Sequence, residues 1–122
     1  MYRRAPRRNR PYQEAPDGLL EGLPAMYLLE VLSGPLDGKT WPFDREITIG
    51  RDDAVAEACI ALDRYVSRKH ARVRIDEGSV LLIDLQSRNG TKLNGQPVVN
   101  DAPLPIGVPF MVGRTVLRVT RV

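Results

Sequence analysis

The stretch Ala71-Arg72-Val73-Arg74-Ile75, followed by Asp76-Glu77-Gly78-Ser79 and then Val80-Leu81-Leu82-Ile83-Asp84-Leu85, decides the fold. Its first five residues alternate apolar and charged, the period of a strand with one face on a core and the other in water. Gly78 supplies a turn, so Val80 to Leu85 reads as the antiparallel hairpin partner. The near-continuous apolar run of that second strand predicts cover on both of its faces.

Working outward, the chain beyond Pro24 keeps the same texture: short segments rich in Val, Ile, Leu and Thr, separated by Gly, Pro, Asn or Asp. Further strands are expected at Tyr27 to Leu32, Lys39 to Phe43, Glu46 to Ile49, Cys59 to Leu62, Lys92 to Leu93, Pro109 to Val112 and Val116 to Arg121. Asp52 to Ala58, with three alanines, is too short for a stable helix and reads as a loop or one helical turn. Pro97, Pro103, Pro105 and Pro109 exclude a long helix near the end of the chain. Many short strands with turn signals at this spacing predict an all-β antiparallel sandwich of two twisted sheets.

A chain of 122 residues has room for one ordinary core. Residues 1–24 show neither period and read as a flexible Arg/Pro-rich tail, with the domain over 25–122. The net charge of +3 belongs to that tail. Of 18 Lys and Arg, five (Arg3, Arg4, Arg7, Arg8, Arg10) fall in the first ten residues, and the other 13 face 15 acids. The remainder is near neutral, without the broad basic face of a nucleic-acid-binding domain.

Cys59 stands alone, so it closes no intrachain disulfide and offers no metal-ligand spacing; it reads as a small buried hydrophobe. No apolar run reaches the ~18 residues of a membrane span, and the basic N-terminus leads into no signal core. The expectation is a soluble cytoplasmic protein without a membrane contact.

Polar residues gather in three connections: Gly50-Arg51, then Ser67-Arg68-Lys69-His70, then Ser87-Arg88-Asn89-Gly90-Thr91, with Asn94-Gly95 shortly after. About fifteen residues separate the first two, and a strand hairpin separates the second from the third, so all three fit at one end of a sandwich, where connections are exposed. Guanidinium forks match phosphate oxygens, a serine hydroxyl donates one more hydrogen bond, and a carboxamide serves a peptide backbone in both directions. The guest this donor set suits is a phosphate on an extended peptide, where a phosphothreonine carries about −1.5 to −2 charges and three strong acceptors.

In this order and spacing, Gly50-Arg51, Ser67-x-x-His70 and Ser87-x-Asn89-Gly90-Thr91 resemble the signature of the forkhead-associated (FHA) family over about Met26 to Val122. The resemblance implies an FHA-like sandwich of about 10 or 11 short strands that docks phosphothreonine segments in signalling, an Arg-cluster mode of recognition. It implies that Arg51 binds the phosphate or nearby peptide carbonyls, that Ser67 donates to the phosphate, and that Arg68 is a further phosphate-binding residue. Asn89 would hold the peptide backbone on both sides of the phosphothreonine, whose methyl would fill a small apolar dent that discriminates against phosphoserine. His70 would brace the phosphate loop, with Gly50, Gly90, Thr91 and Asn94 as structural support. The two glycines serve either a close backbone approach or a positive φ.

Arg88 departs from the family's frequent Thr or Ser and reads as either a solvated turn residue or an extra positive group at the rim. Tyr65 lies where members often select the residue three places after the phosphothreonine, and a tyrosine there suits an apolar or mixed contact better than the reading of an acidic residue. Some members carry a threonine in their own tail that fills the pocket once phosphorylated; residues 1–39 contain no Thr, so that switch is not expected in cis.

The expected partner is a phosphothreonine-containing protein, a Ser/Thr kinase or its substrate, bound by a monomer. Two other readings are a phosphate-independent assembly module, and contact with nucleic acid or an acidic partner through the Arg-rich tail. Paired carboxylates, a nucleophile elbow and metal-ligand spacing are not found in the sequence, so no enzyme activity, cofactor or metal is expected.

Overall fold

The structure, a computed structural model, describes residues 26–122. The tail expected over residues 1–24 lies outside the described residues. The strands, in chain order, are β1 (Tyr27–Ser33), β2 (Thr40–Phe43), β3 (Glu46–Gly50), β4 (Ala58–Cys59), β5 (Ala71–Asp76), β6 (Ser79–Asp84), β7 (Thr91–Leu93), β8 (Gln96–Pro97), β9 (Asp101–Pro103), β10 (Phe110–Val112) and β11 (Thr115–Arg121). They form a five-stranded sheet, β9-β6-β5-β3-β4, and a six-stranded sheet, β2-β1-β11-β10-β7-β8. Every pairing is antiparallel except β3 with β4, which runs parallel at Ile49↔Ala58 and Gly50↔Cys59. Among the described residues no helix is long and apolar enough to cross a membrane.

Period-two patterning builds the core. In the first sheet Ile47, Val73 and Leu82 lie side by side across three strands and are all buried. In the second, Leu29 pairs with Val119 and Phe110 with Leu117, again buried. Each such side chain contributes about 1.5–3 kcal/mol on leaving water, so these inner rows fix the register: a slip by one residue would turn every one of them outward.

Ala71–Ile75 alternates as its sequence predicts, but its hairpin partner is not covered on both faces. Val80 and Leu82 are buried whereas Leu81 and Ile83 are half-buried, because in a two-layer sandwich each strand has only one inner face. The strand expected at Cys59 to Leu62 is the two-residue β4; beyond it Ile60 turns into the core and Leu62 is 68% exposed. Cys59 is half-buried rather than buried, with its thiol 3.5 Å from the Arg51 carbonyl. The segment Asp52 to Ala56 is a single turn, closed by Ala56 N–H donating to the Asp52 carbonyl and by Ala54 N–H donating to the Asp52 side chain.

Candidate functional site

The chain leaves β3 at Gly50, and there it meets the loop that precedes β5. Arg51 N–H donates to the Ser67 carbonyl at 3.0 Å, Asp52 N–H to the Arg68 carbonyl at 3.4 Å, and His70 N–H to the Ile49 carbonyl at 2.9 Å. This contact requires a glycine. A Cβ on Gly50 would lie 1.9 Å from the Arg68 carbonyl oxygen. The Arg51 side chain turns back so that Nε donates to the Val66 carbonyl at 2.9 Å, which aims the rest of the guanidinium from a fixed base.

The loop after β6 is joined to the same place. Ser67 Oγ accepts from Arg88 N–H at 2.9 Å, leaving the serine's own proton for another acceptor, and Asn89 Nδ2 donates to the Tyr65 carbonyl at 2.8 Å. Arg51, Ser67, Arg68, Arg88 and Asn89 therefore sit on three connections bonded to one another. The four longer side chains belong to exposed residues, and Ser67 is half-buried. Arg51, Arg68 and Arg88 bring three positive charges to this end of the sandwich, in a setting where phosphate is the matching anion.

His70 is fully buried and holds two loops at once. Its Nδ1 accepts from Ser67 N–H at 2.9 Å, so the ring proton sits on Nε2 and is donated to the Gly90 carbonyl at 2.9 Å. The ring is thus neutral. Desolvation lowers its pKa below the ordinary 6.5, against the opposing pull of the Gly90 carbonyl and of the Asp84 and Asp63 charges. Protonation would place a proton on Nδ1 against the Ser67 N–H. Because the unfolded chain takes up that proton more readily, the stability His70 contributes is complete above pH 6.5 and is lost as pH falls below it toward the lowered folded value. We expect thermal denaturation scans to show the melting temperature falling between pH 7.5 and 5.5, and His70→Gln to be less stable at neutral pH by about 1–3 kcal/mol but flatter over that range. An equal slope in both proteins would remove His70 from this role.

Two carboxylates that the sequence did not single out order the remaining backbone. Asp84 accepts from Ser87 Oγ at 2.6 Å, from Ser87 N–H at 3.2 Å and from Thr91 Oγ1 at 2.7 Å, which accounts for the buried Thr91. Asp63 is also buried and accepts from Tyr65 N–H at 3.0 Å, Arg114 N–H at 2.8 Å and Thr115 Oγ1 at 2.7 Å. Three donors satisfy the buried Asp63 and likewise the half-buried Asp84, and each carboxylate fixes a loop. Gly90 has φ 84° and open space around it. Asn94 belongs to the β7–β8 turn with φ 53°, followed by Gly95 at φ 76°, and lines a separate hollow of about 270 Å³ with Lys92 and Met111.

Comparison with known proteins agrees with this architecture. The FHA domain model matches residues 47–113, which hold all three polar connections. The glycogen accumulation regulator GarA of Mycolicibacterium smegmatis is 37% identical over 98 residues, 78% of this chain and 60% of the relative. FhaB of Mycobacterium tuberculosis, an FHA domain-containing protein, is 33% identical over 94 residues, 76% of this chain and 59% of the relative. The chain thus spans about three-fifths of the length of these relatives. A solved structure from a structural and functional analysis of phosphothreonine-dependent FHA domain interactions is 31% identical, with a TM-score of 0.68 over 78% of this chain and 95% of that one. Matching in sequence signature, sheet architecture and extent, the chain belongs to the forkhead-associated (FHA) domain family.

Proposed function

We propose that this domain is a non-catalytic docking module that binds a phosphothreonine segment of a partner protein and thereby makes an interaction depend on a Ser/Thr kinase. The observation that carries the reading is the convergence of Arg51, Ser67, Arg68, Arg88 and Asn89 on three loops cross-linked by hydrogen bonds. Such a constellation is held before the ligand arrives, so binding does not also have to order it. In this reading Arg51 and the Ser67 hydroxyl bind phosphate oxygens and Arg68 and Arg88 add positive charge beside them. Asn89, one N–H of which is committed to the Tyr65 carbonyl, turns its remaining amide groups to the peptide backbone. Support also comes from the relative solved in a phosphothreonine-dependent setting.

The test is calorimetric titration with three peptides of one sequence, drawn from a phosphopeptide library, carrying phosphothreonine, phosphoserine or threonine. We expect the first to bind and the other two to bind far more weakly. Equal affinity for the phosphorylated and unmodified peptides would sink the proposal.

A further inference from the structure

Beside the phosphate loops lies a second cationic position built by a distant part of the chain. The Arg114 guanidinium stacks over the Tyr65 ring, with its carbon 4.2 Å from the ring centroid. Tyr65 is 41% exposed and Arg114 is exposed, so the stacked pair faces solvent. The pair is held from below: the buried Asp63 accepts from the backbone N–H of both residues. Between β10 and β11, Gly113 at φ 60° packs so closely that a Cβ would lie 2.7 Å from Val66 and 3.0 Å from the Tyr65 carbonyl carbon. The Tyr65 carbonyl in turn receives Asn89 Nδ2. Tyr65 therefore joins the Arg114 turn to the loop that carries Asn89, and its own loop reaches Ser67 two residues later.

Among the described residues the ion-paired arginines are Arg72, Arg74 and Arg118, all on strands and all matched by Glu46 or Glu30. Arg114 carries no ion pair, in common with most of the described arginines, but it stacks more closely on an aromatic ring than Arg121 does on Tyr27. Its guanidinium is ordered by stacking on an aromatic face rather than by a carboxylate, an arrangement that leaves its in-plane N–H forks available to an anion.

We propose that Arg114, displayed on Tyr65, is a specificity-determining residue that selects phosphothreonine segments bearing a second anionic side chain a few residues from the phosphothreonine. This rests on the phosphothreonine reading above and deepens it. An extended peptide advances about 3.3–3.6 Å per residue, so a segment anchored at Ser67 and Asn89 passes the Tyr65 platform within a few residues. Aspartate, glutamate and a second phosphate offer the same fork-matching oxygens. The expectation from the sequence, that Tyr65 suits an apolar or mixed contact better than the reading of an acidic residue, treated the ring without the arginine that lies on it.

The experiment titrates the intact chain with a phosphothreonine peptide otherwise made of alanine and uncharged spacers, then with versions carrying one Asp, one phosphoserine or one Lys at each position from four before to four after the phosphothreonine. Wild-type protein is expected to gain about three- to tenfold in affinity from Asp at one position, more from phosphoserine there, and to lose affinity from Lys. Arg114→Ala is expected to bind the parent peptide as wild type does and to show none of the gain; Arg114→Lys should regain part of it. Since Asp63 holds the Arg114 backbone and not its side chain, the variant should lose only the exposed stacking contact and melt within a few degrees of wild type. A parent peptide that binds while no acidic version gains, or a gain that persists in Arg114→Ala, overturns the Arg114 role alone. If none of the phosphopeptides binds, both readings fall.

Discussion

Gly50→Ala is expected to lower the melting temperature by more than ten degrees and to abolish phosphopeptide binding, although it adds a single methyl group at a residue that touches no ligand. The added Cβ would lie 1.9 Å from the Arg68 carbonyl oxygen, 2.8 Å from its carbon and 3.1 Å from the Ala56 methyl. The nearest atoms are backbone, which cannot swing aside as the tip of a side chain would. Relief requires β3 and the following loop to part, and that parting strains the bonds Arg51 N–H to Ser67 O and Asp52 N–H to Arg68 O. Overpacking costs about 1–3 kcal/mol, and two weakened hydrogen bonds add about 0.5–1.5 kcal/mol each, so about 3–4 kcal/mol is expected. At ~4–8 °C per kcal/mol for a domain of this size, scanning calorimetry reads that directly.

Gly90→Ala supplies the control. Gly90 has φ 84°, but a methyl group there would meet nothing within 4 Å, so only the left-handed backbone is penalised, by about 1–2 kcal/mol. If Gly50→Ala costs no more than Gly90→Ala, the close approach of the two loops is not what holds the site.

These two glycines also show what a sequence discloses and what it withholds. Both invited the same pair of explanations, close approach or positive φ, and only the path of the second loop over the first assigns one explanation to each. The hairpin of β5 and β6 was legible because Arg72 and Arg74 punctuate the apolar residues; β8 and β9 were not expected, because Gln96–Pro97 and Asp101–Pro103 are edge strands too short to show a period and carry prolines that argue against a strand. The three polar connections were legible as a set. Asp63, Asp84 and Arg114 were not, because a charged residue in a loop or at a strand end is ordinarily solvated and nothing local tells that Asp63 is buried under a turn fifty-one residues away. The residues expected to touch a ligand carry their chemistry in their side chains, whereas those that hold them in place acquire their role from packing.

That division yields the second large effect. Arg51→Ala is expected to weaken phosphothreonine-peptide binding by about thirtyfold to several thousandfold, the 2–5 kcal/mol lost when one partner of a charged, hydrogen-bonded pair is removed from an interface. It should cost far less stability than Gly50→Ala. The side chain makes one bond, Nε–H to the Val66 carbonyl, worth about 0.5–1.5 kcal/mol, on an exposed residue, and the Arg51 backbone bond to Ser67 survives the substitution. Calorimetric titration beside a thermal scan separates binding from folding. Arg51→Lys should recover only part of the affinity, since an ammonium keeps the charge but not the two-pronged match to phosphate oxygens. A loss under about threefold would place the phosphate elsewhere, because a charged contact at the heart of a site is worth more than that. Loss of the peptide together with retention of a full-length partner would instead favour docking that does not depend on phosphate, with Arg51 peripheral to it.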